Sequence, residues 1–100
     1  MAQYNKLVRD KIPEILDAKG VVYEKRIATQ EEYKIELIKK LREELEEFEV
    51  AGDVEELADI VEVIEALKLL PEYNDVEKAR KKKKEERGGF EGRIILKGEK

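Results

Sequence analysis

A chain of 100 residues with 46% charged and 41% apolar side chains and a formal charge of -4 makes one domain with a single modest core. The lack of cysteine excludes a disulfide framework and thiolate metal sites, and the lack of histidine leaves carboxylates and lysines for any acid and base work. The net charge speaks against general nucleic-acid binding. No apolar run nears the roughly 20 residues of a membrane span, nor does the start carry a signal-peptide core, so the expectation is a soluble cytoplasmic protein.

Residues 4 to 12 set Lys6, Arg9, Asp10 and Lys11 among the apolar Leu7, Val8 and Ile12. Such a cluster either holds phosphates through charge-assisted hydrogen bonds or lies in water beside its apolar anchors. Pro13 suits a first helical position, which predicts a short helix from there to Gly20. The β-branched run Val21 to Ile27 reads as a strand. Thr29, with Glu32 three residues on, caps a long helix over 30 to 51. Gly52 and Asp53 end it and cap the next, which runs until Pro71 stops it after Leu70. So short a turn makes the two helices antiparallel neighbours.

Asn74 with Glu77 opens a further helix that carries the basic run to about Arg87. Lys81 to Lys84 surround that helix and read as a solvated face, with RNA binding as the alternative. Arg87-Gly88-Gly89-Phe90 follows, either as a helix C-cap and turn or as a close backbone approach to a ligand. Gly92 to Lys97 reads as a second strand, which pairs with 21 to 27 within the chain or across a dimer. The expected fold is mainly α, an antiparallel helical hairpin with additional short helices and a small two-stranded β element. The apolar stripe of the second long helix exceeds what one neighbour covers, which implies an oligomeric helical bundle, a homodimer or homotetramer.

The hairpin also carries the densest acidic run. At about 100° per residue, Leu37, Ile38, Leu41, Leu45 and Phe48 form one stripe, with Glu44 at its edge and Glu47 one step further round. Val54, Leu57, Ile60, Val61 and Ile64 form the other, and Glu56 and Asp59 fall inside its extension. Glu43, Glu46, Glu55 and Glu62 point away and read as solvated. Unpaired carboxylates in a surface destined for burial cost several kcal/mol or take up protons, so a chain that places them there usually supplies a cation. Glu44-x-x-Glu47 facing Glu56-x-x-Asp59 would aim four carboxylates at one point, and hard oxygen donors suit Mg²⁺, with Mn²⁺ as the alternative.

These acid motifs, the opening Tyr4-Asn5-Lys6-Leu7-Val8-Arg9-Asp10-Lys11-Ile12-Pro13 and Arg87-Gly88-Gly89-Phe90 together resemble the MazG-like all-α nucleoside triphosphate pyrophosphatase superfamily. Within it they look like a subgroup labelled phosphoribosyl-ATP pyrophosphohydrolase-like. The resemblance implies a Mg²⁺-dependent enzyme that cleaves a nucleotide substrate between its α and β phosphates. It implies Glu44, Glu47, Glu56 and Asp59 as metal-holding and catalytic residues, with Lys40, Lys6, Arg9, Lys11 and Arg87 as phosphate-binding candidates, Arg87 acting from a neighbouring subunit. Glu43 matches a doubled glutamate but its phase allows a supporting role at most. The rival expectations are a non-catalytic helical oligomerisation module, whose inward acids would pair with Lys or Arg, and a nucleic-acid binder using residues 78 to 87.

Overall fold

The computed structural model describes residues 5–99, so Tyr4 of the opening motif lies outside the described residues. Among these residues four α-helices, α1 (Ile12–Ala18), α2 (Gln30–Ala51), α3 (Val54–Lys68) and α4 (Val76–Arg87), and one 3-10 turn, Pro71–Tyr73, follow in chain order. Local chemistry sets the limits of the long helices. Thr29 Oγ1 accepts the Glu32 backbone N–H at 3.2 Å, while the Glu32 carboxylate takes both guanidinium nitrogens of Arg26 and so does not complete a reciprocal cap. Gly52 sits in the left-handed region at φ 63° and its N–H donates to Phe48 O at 2.8 Å. A Cβ is strained there, which is why glycine ends α2. Asp53 Oδ1 accepts the Glu56 N–H at 2.9 Å and starts α3.

Helices α2 and α3 pack side by side as the antiparallel hairpin. Leu37, Ile60 and Val63 are its buried apolar residues. Lys34 meets Glu72 at 3.7 Å and lies 5.2 Å from the Tyr73 ring centre, while Lys68 meets Glu77 at 3.2 Å, so ion pairs tie the 3-10 turn to α2 and α4 to α3. Helix α4 begins after Asp75 and no side chain caps it, one residue later than an Asn74 cap would give. Helix α1 begins one residue before Pro13.

The expected two-stranded β element is not formed: no strand occurs among the described residues. Composition gives a segment β propensity but not a partner. Residues 21 to 27 are committed elsewhere, because Tyr23 donates to Asp17 at 2.8 Å on α1 and Arg26 is fixed to Glu32 on α2. The second run is interrupted at Arg93, whose φ is 55° and whose N–H closes a turn onto Phe90 O. Val22 and Ile95 are consequently 96% and 91% exposed.

The radius of gyration is 17.9 Å, against about 13 Å for a compact domain of this length. Ile38 and Leu45 on α2 and Leu57, Val61 and Ile64 on α3, expected inside, are between 40% and 48% exposed. The single chain therefore leaves one side of its hairpin open. Among the described residues no helix is long and apolar enough to cross a membrane.

Candidate metal centre

The Gly52–Asp53 turn decides which acids meet. Glu47 lies five residues before Gly52 and Glu56 three after Asp53, and Glu44 and Asp59 stand three residues further out on their helices. All four lie close to the turn, where antiparallel packing keeps the two helices side by side. Carboxylate oxygens of Glu44, Glu56 and Asp59 lie within 4.8 Å of one another, as do those of Glu43, Glu44 and Glu47. Glu44 belongs to both groups and joins the helices. An open depression of about 490 Å³, lined by Glu43, Glu46, Glu47, Val50, Ala51 and Glu56, adjoins them.

Burial is unequal across the cluster. Glu44 is 5% exposed, Glu56 and Asp59 are half-buried, and Glu47 is open to solvent. The Lys40 ammonium reaches Glu44 Oε1 at 3.2 Å, but Glu44 Oε2 and Glu56 Oε2 are buried with no hydrogen-bond partner among the described residues. Such orphaned acceptors are costly and uncommon in folded proteins. Loss of hydration raises the Glu44 carboxyl above the usual carboxylate range; Lys40 opposes this, and the charges of Glu47 and Asp59 add to it. Glu56 is raised by the same loss of hydration, then by Glu47 and Asp59.

Glu43, whose phase pointed away, is brought into the cluster from outside its helix. Lys6 reaches its Oε1 at 3.0 Å and Lys40 at 3.6 Å. Lys6, first, and Lys40 hold the Glu43 carboxyl below the usual range. Its i, i+4 spacing to Glu47 was the available signal in the sequence. Arg9 donates from Nη2 to Asp59 Oδ1 at 2.6 Å. Of the phosphate-binding candidates, Lys40, Lys6 and Arg9 thus converge on the acids. Lys11 is exposed and outside the cluster, and no hydrogen bond or ion pair links Arg87, at the end of α4, to the hairpin acids among the described residues.

Carboxylate oxygens from both helices, two of them buried without partners, form a donor set that suits a hard divalent cation as a class. Comparison of the chain with protein-family models, with curated proteins and with solved structures finds no significant match to any of them.

Proposed function

We propose that the chain is a Mg²⁺-dependent nucleotide pyrophosphohydrolase acting in the cytoplasm on a non-canonical NTP or on phosphoribosyl-ATP. The observation that carries this reading is Glu44: a carboxylate nine-tenths buried, with one oxygen unpartnered, at the meeting point of acids from α2 and α3. Lys40 compensates only one oxygen of this carboxylate, and burying the rest of it beside the charges of Glu47 and Asp59 disfavours the fold, which argues that the arrangement serves something other than stability. Glu44, Glu47, Glu56 and Asp59 would hold the cation, which supplies charge neutralisation for a polyphosphate and acidifies water bound to it. Mn²⁺ would satisfy the same oxygens.

The chain's own groups then divide the work. Glu47, exposed at the edge of the depression, orients a water for attack on the α-phosphorus and accepts its proton. The water oxygen bonds to the α-phosphorus as the bond to the bridging oxygen breaks, and the products are a nucleoside monophosphate and pyrophosphate. Lys40 lies one turn before Glu44 and restrains that carboxylate from the outer side. The open apolar side of the hairpin and the long radius of gyration support assembly as a homodimer or homotetramer that buries Leu45, Val61 and their neighbours.

A second reading has its own observation. Lys6, Arg9 and Lys40 already pair with Glu43, Asp59 and Glu44, which is what a non-catalytic oligomerisation module would show. The two are separated by pyrophosphate release from a panel of normal, deaminated and oxidised NTPs and phosphoribosyl-ATP, with and without Mg²⁺, for wild type and Glu56→Gln. Metal-dependent release lost in Glu56→Gln is expected. No release across the panel, with no calorimetric Mg²⁺ binding, selects the module.

A further inference from the structure

The segment before α1 crosses the acidic face from one helix to the other. Lys6 is anchored on Glu43 of α2 at 3.0 Å and Arg9 on Asp59 of α3 at 2.6 Å. These contacts join residues 37 and 50 positions apart, so they fix the path of the segment and are not by-products of a helix face. Both anchors are partly open, with 57% of the Arg9 side chain and 37% of Asp59 exposed, which makes them weak and exchangeable. Meanwhile the buried acceptors Glu44 Oε2 and Glu56 Oε2 have no partner among the described residues. The segment's cations therefore cover the rim of the cluster and leave its interior unsatisfied.

Asp59 has one negative charge to share between a divalent cation and the Arg9 guanidinium that already holds its Oδ1, so the two cations compete for it. Like charges brought to one carboxylate repel. We propose that residues 5 to 11 form a counter-ion strap: Arg9 holds Asp59 until a divalent cation takes that carboxylate, and is thereby freed to pair with the anionic phosphates that accompany the cation. Metal binding and phosphate capture are coupled through one side chain, and the metal-free site is protected by its own substitute cation. Arg9 is a phosphate-binding residue in this scheme. The inference rests on the metal reading above.

The test uses the full chain and Mg²⁺ alone. By calorimetry, Arg9→Gln binds Mg²⁺ about two- to fivefold more tightly than wild type, the range set by removing a competing surface ion pair. Lys11→Gln, with the same charge loss in the same segment but outside the cluster, leaves the affinity unchanged. In wild type, the Arg9 guanidinium NMR signal moves on Mg²⁺ addition toward that of solvated arginines, a readout that needs no variant to fold. Unchanged or weakened affinity in Arg9→Gln, equal tightening in Lys11→Gln, or an Arg9 signal that stays fixed at saturating Mg²⁺ would each overturn the strap alone. A wild type that binds no Mg²⁺ overturns the metal reading and the strap with it.

Discussion

Glu44 on α2 and Asp59 on α3 bring carboxylate oxygens within 4.8 Å of each other, and each is engaged by a cation, Lys40 at 3.2 Å on Glu44 and Arg9 at 2.6 Å on Asp59. Only one of those cations comes from the hairpin itself. The pair is held together by the turn between the helices and tolerated because of charges supplied beside it.

Glu44→Gln should stabilise the metal-free chain at neutral pH. The carboxyl is raised chiefly by lost hydration, so the folded state binds its proton more tightly than the unfolded state does, and stability falls as pH rises through the interval between the two pKa values. Glutamine removes that charge, and a gain of roughly 1 kcal/mol would raise Tm by about 4–8 °C in a domain of this size. The gap should close once pH falls below the ordinary glutamate value of about 4.3. Thermal melts of both chains from pH 3 to 8 measure it, and a constant difference would refute the assignment to ionisation.

Asp59→Asn keeps the side chain's shape while removing its charge and its ion pair with Arg9. If Asp59 is a ligand, Mg²⁺ affinity drops by at least about tenfold, equivalent to about 1.4 kcal/mol. Glu62→Gln, an exposed acid on the same helix, should leave the affinity within error. Calorimetric titrations of the two variants side by side distinguish a specific ligand from general negative charge.

The helices were legible because their signals are local. Thr29, Gly52, Asp53 and Pro71 each act on backbone within four residues, and α2 occupies the expected 30 to 51. Sequence phase also aimed Glu44, Glu47, Glu56 and Asp59 at one point; Glu44 does meet Glu56 and Asp59 across the two-residue turn, while Glu47 groups with Glu44 and Glu43 on its own helix. What it could not give was depth. Glu44, at the edge of its stripe, is the most buried acid, while Glu56 and Asp59, inside theirs, are half-buried, because burial depends on how Ile60 and Val63 seat against α2. Glu43 was assigned to solvent for a related reason: its partner Lys6 lies 37 positions away. The strands failed on the same ground, as β-branched residues report propensity while pairing is set by distant chain.

The turn that aligns the acids should be separable from their charge. Asp53→Ala removes the acceptor for the Glu56 N–H and should cost about 1 kcal/mol, whereas Asp53→Asn caps nearly as well and should be close to neutral. Gly52→Ala meets no neighbouring atom but forces a Cβ into the left-handed region, at a cost of about 1–2 kcal/mol. Urea denaturation gives all three values. Equal losses in Asp53→Ala and Asp53→Asn would mean that charge on Asp53, and not the hydrogen bond, is what α3 requires.

The open side of the hairpin makes the last prediction a choice between two magnitudes. In an isolated chain Leu45 and Val61 are 47% and 48% exposed, so exchange for a charged residue should change stability by no more than about 0.5 kcal/mol. If a second copy covers this side, the same change places an unpaired charge in an interface and dissociates it. The expected result is that the wild type measures as a dimer or tetramer by light scattering and that Val61→Glu shifts it to monomer with a lower Tm. A monomeric wild type would remove the oligomer while leaving the acid cluster intact, because the two described carboxylate groups, Glu43 with Glu44 and Glu47, and Glu44 with Glu56 and Asp59, come from one chain. Mg²⁺ affinity measured on the Val61→Glu monomer therefore shows whether the acid cluster is preorganised by the hairpin alone or needs the packed interface behind it.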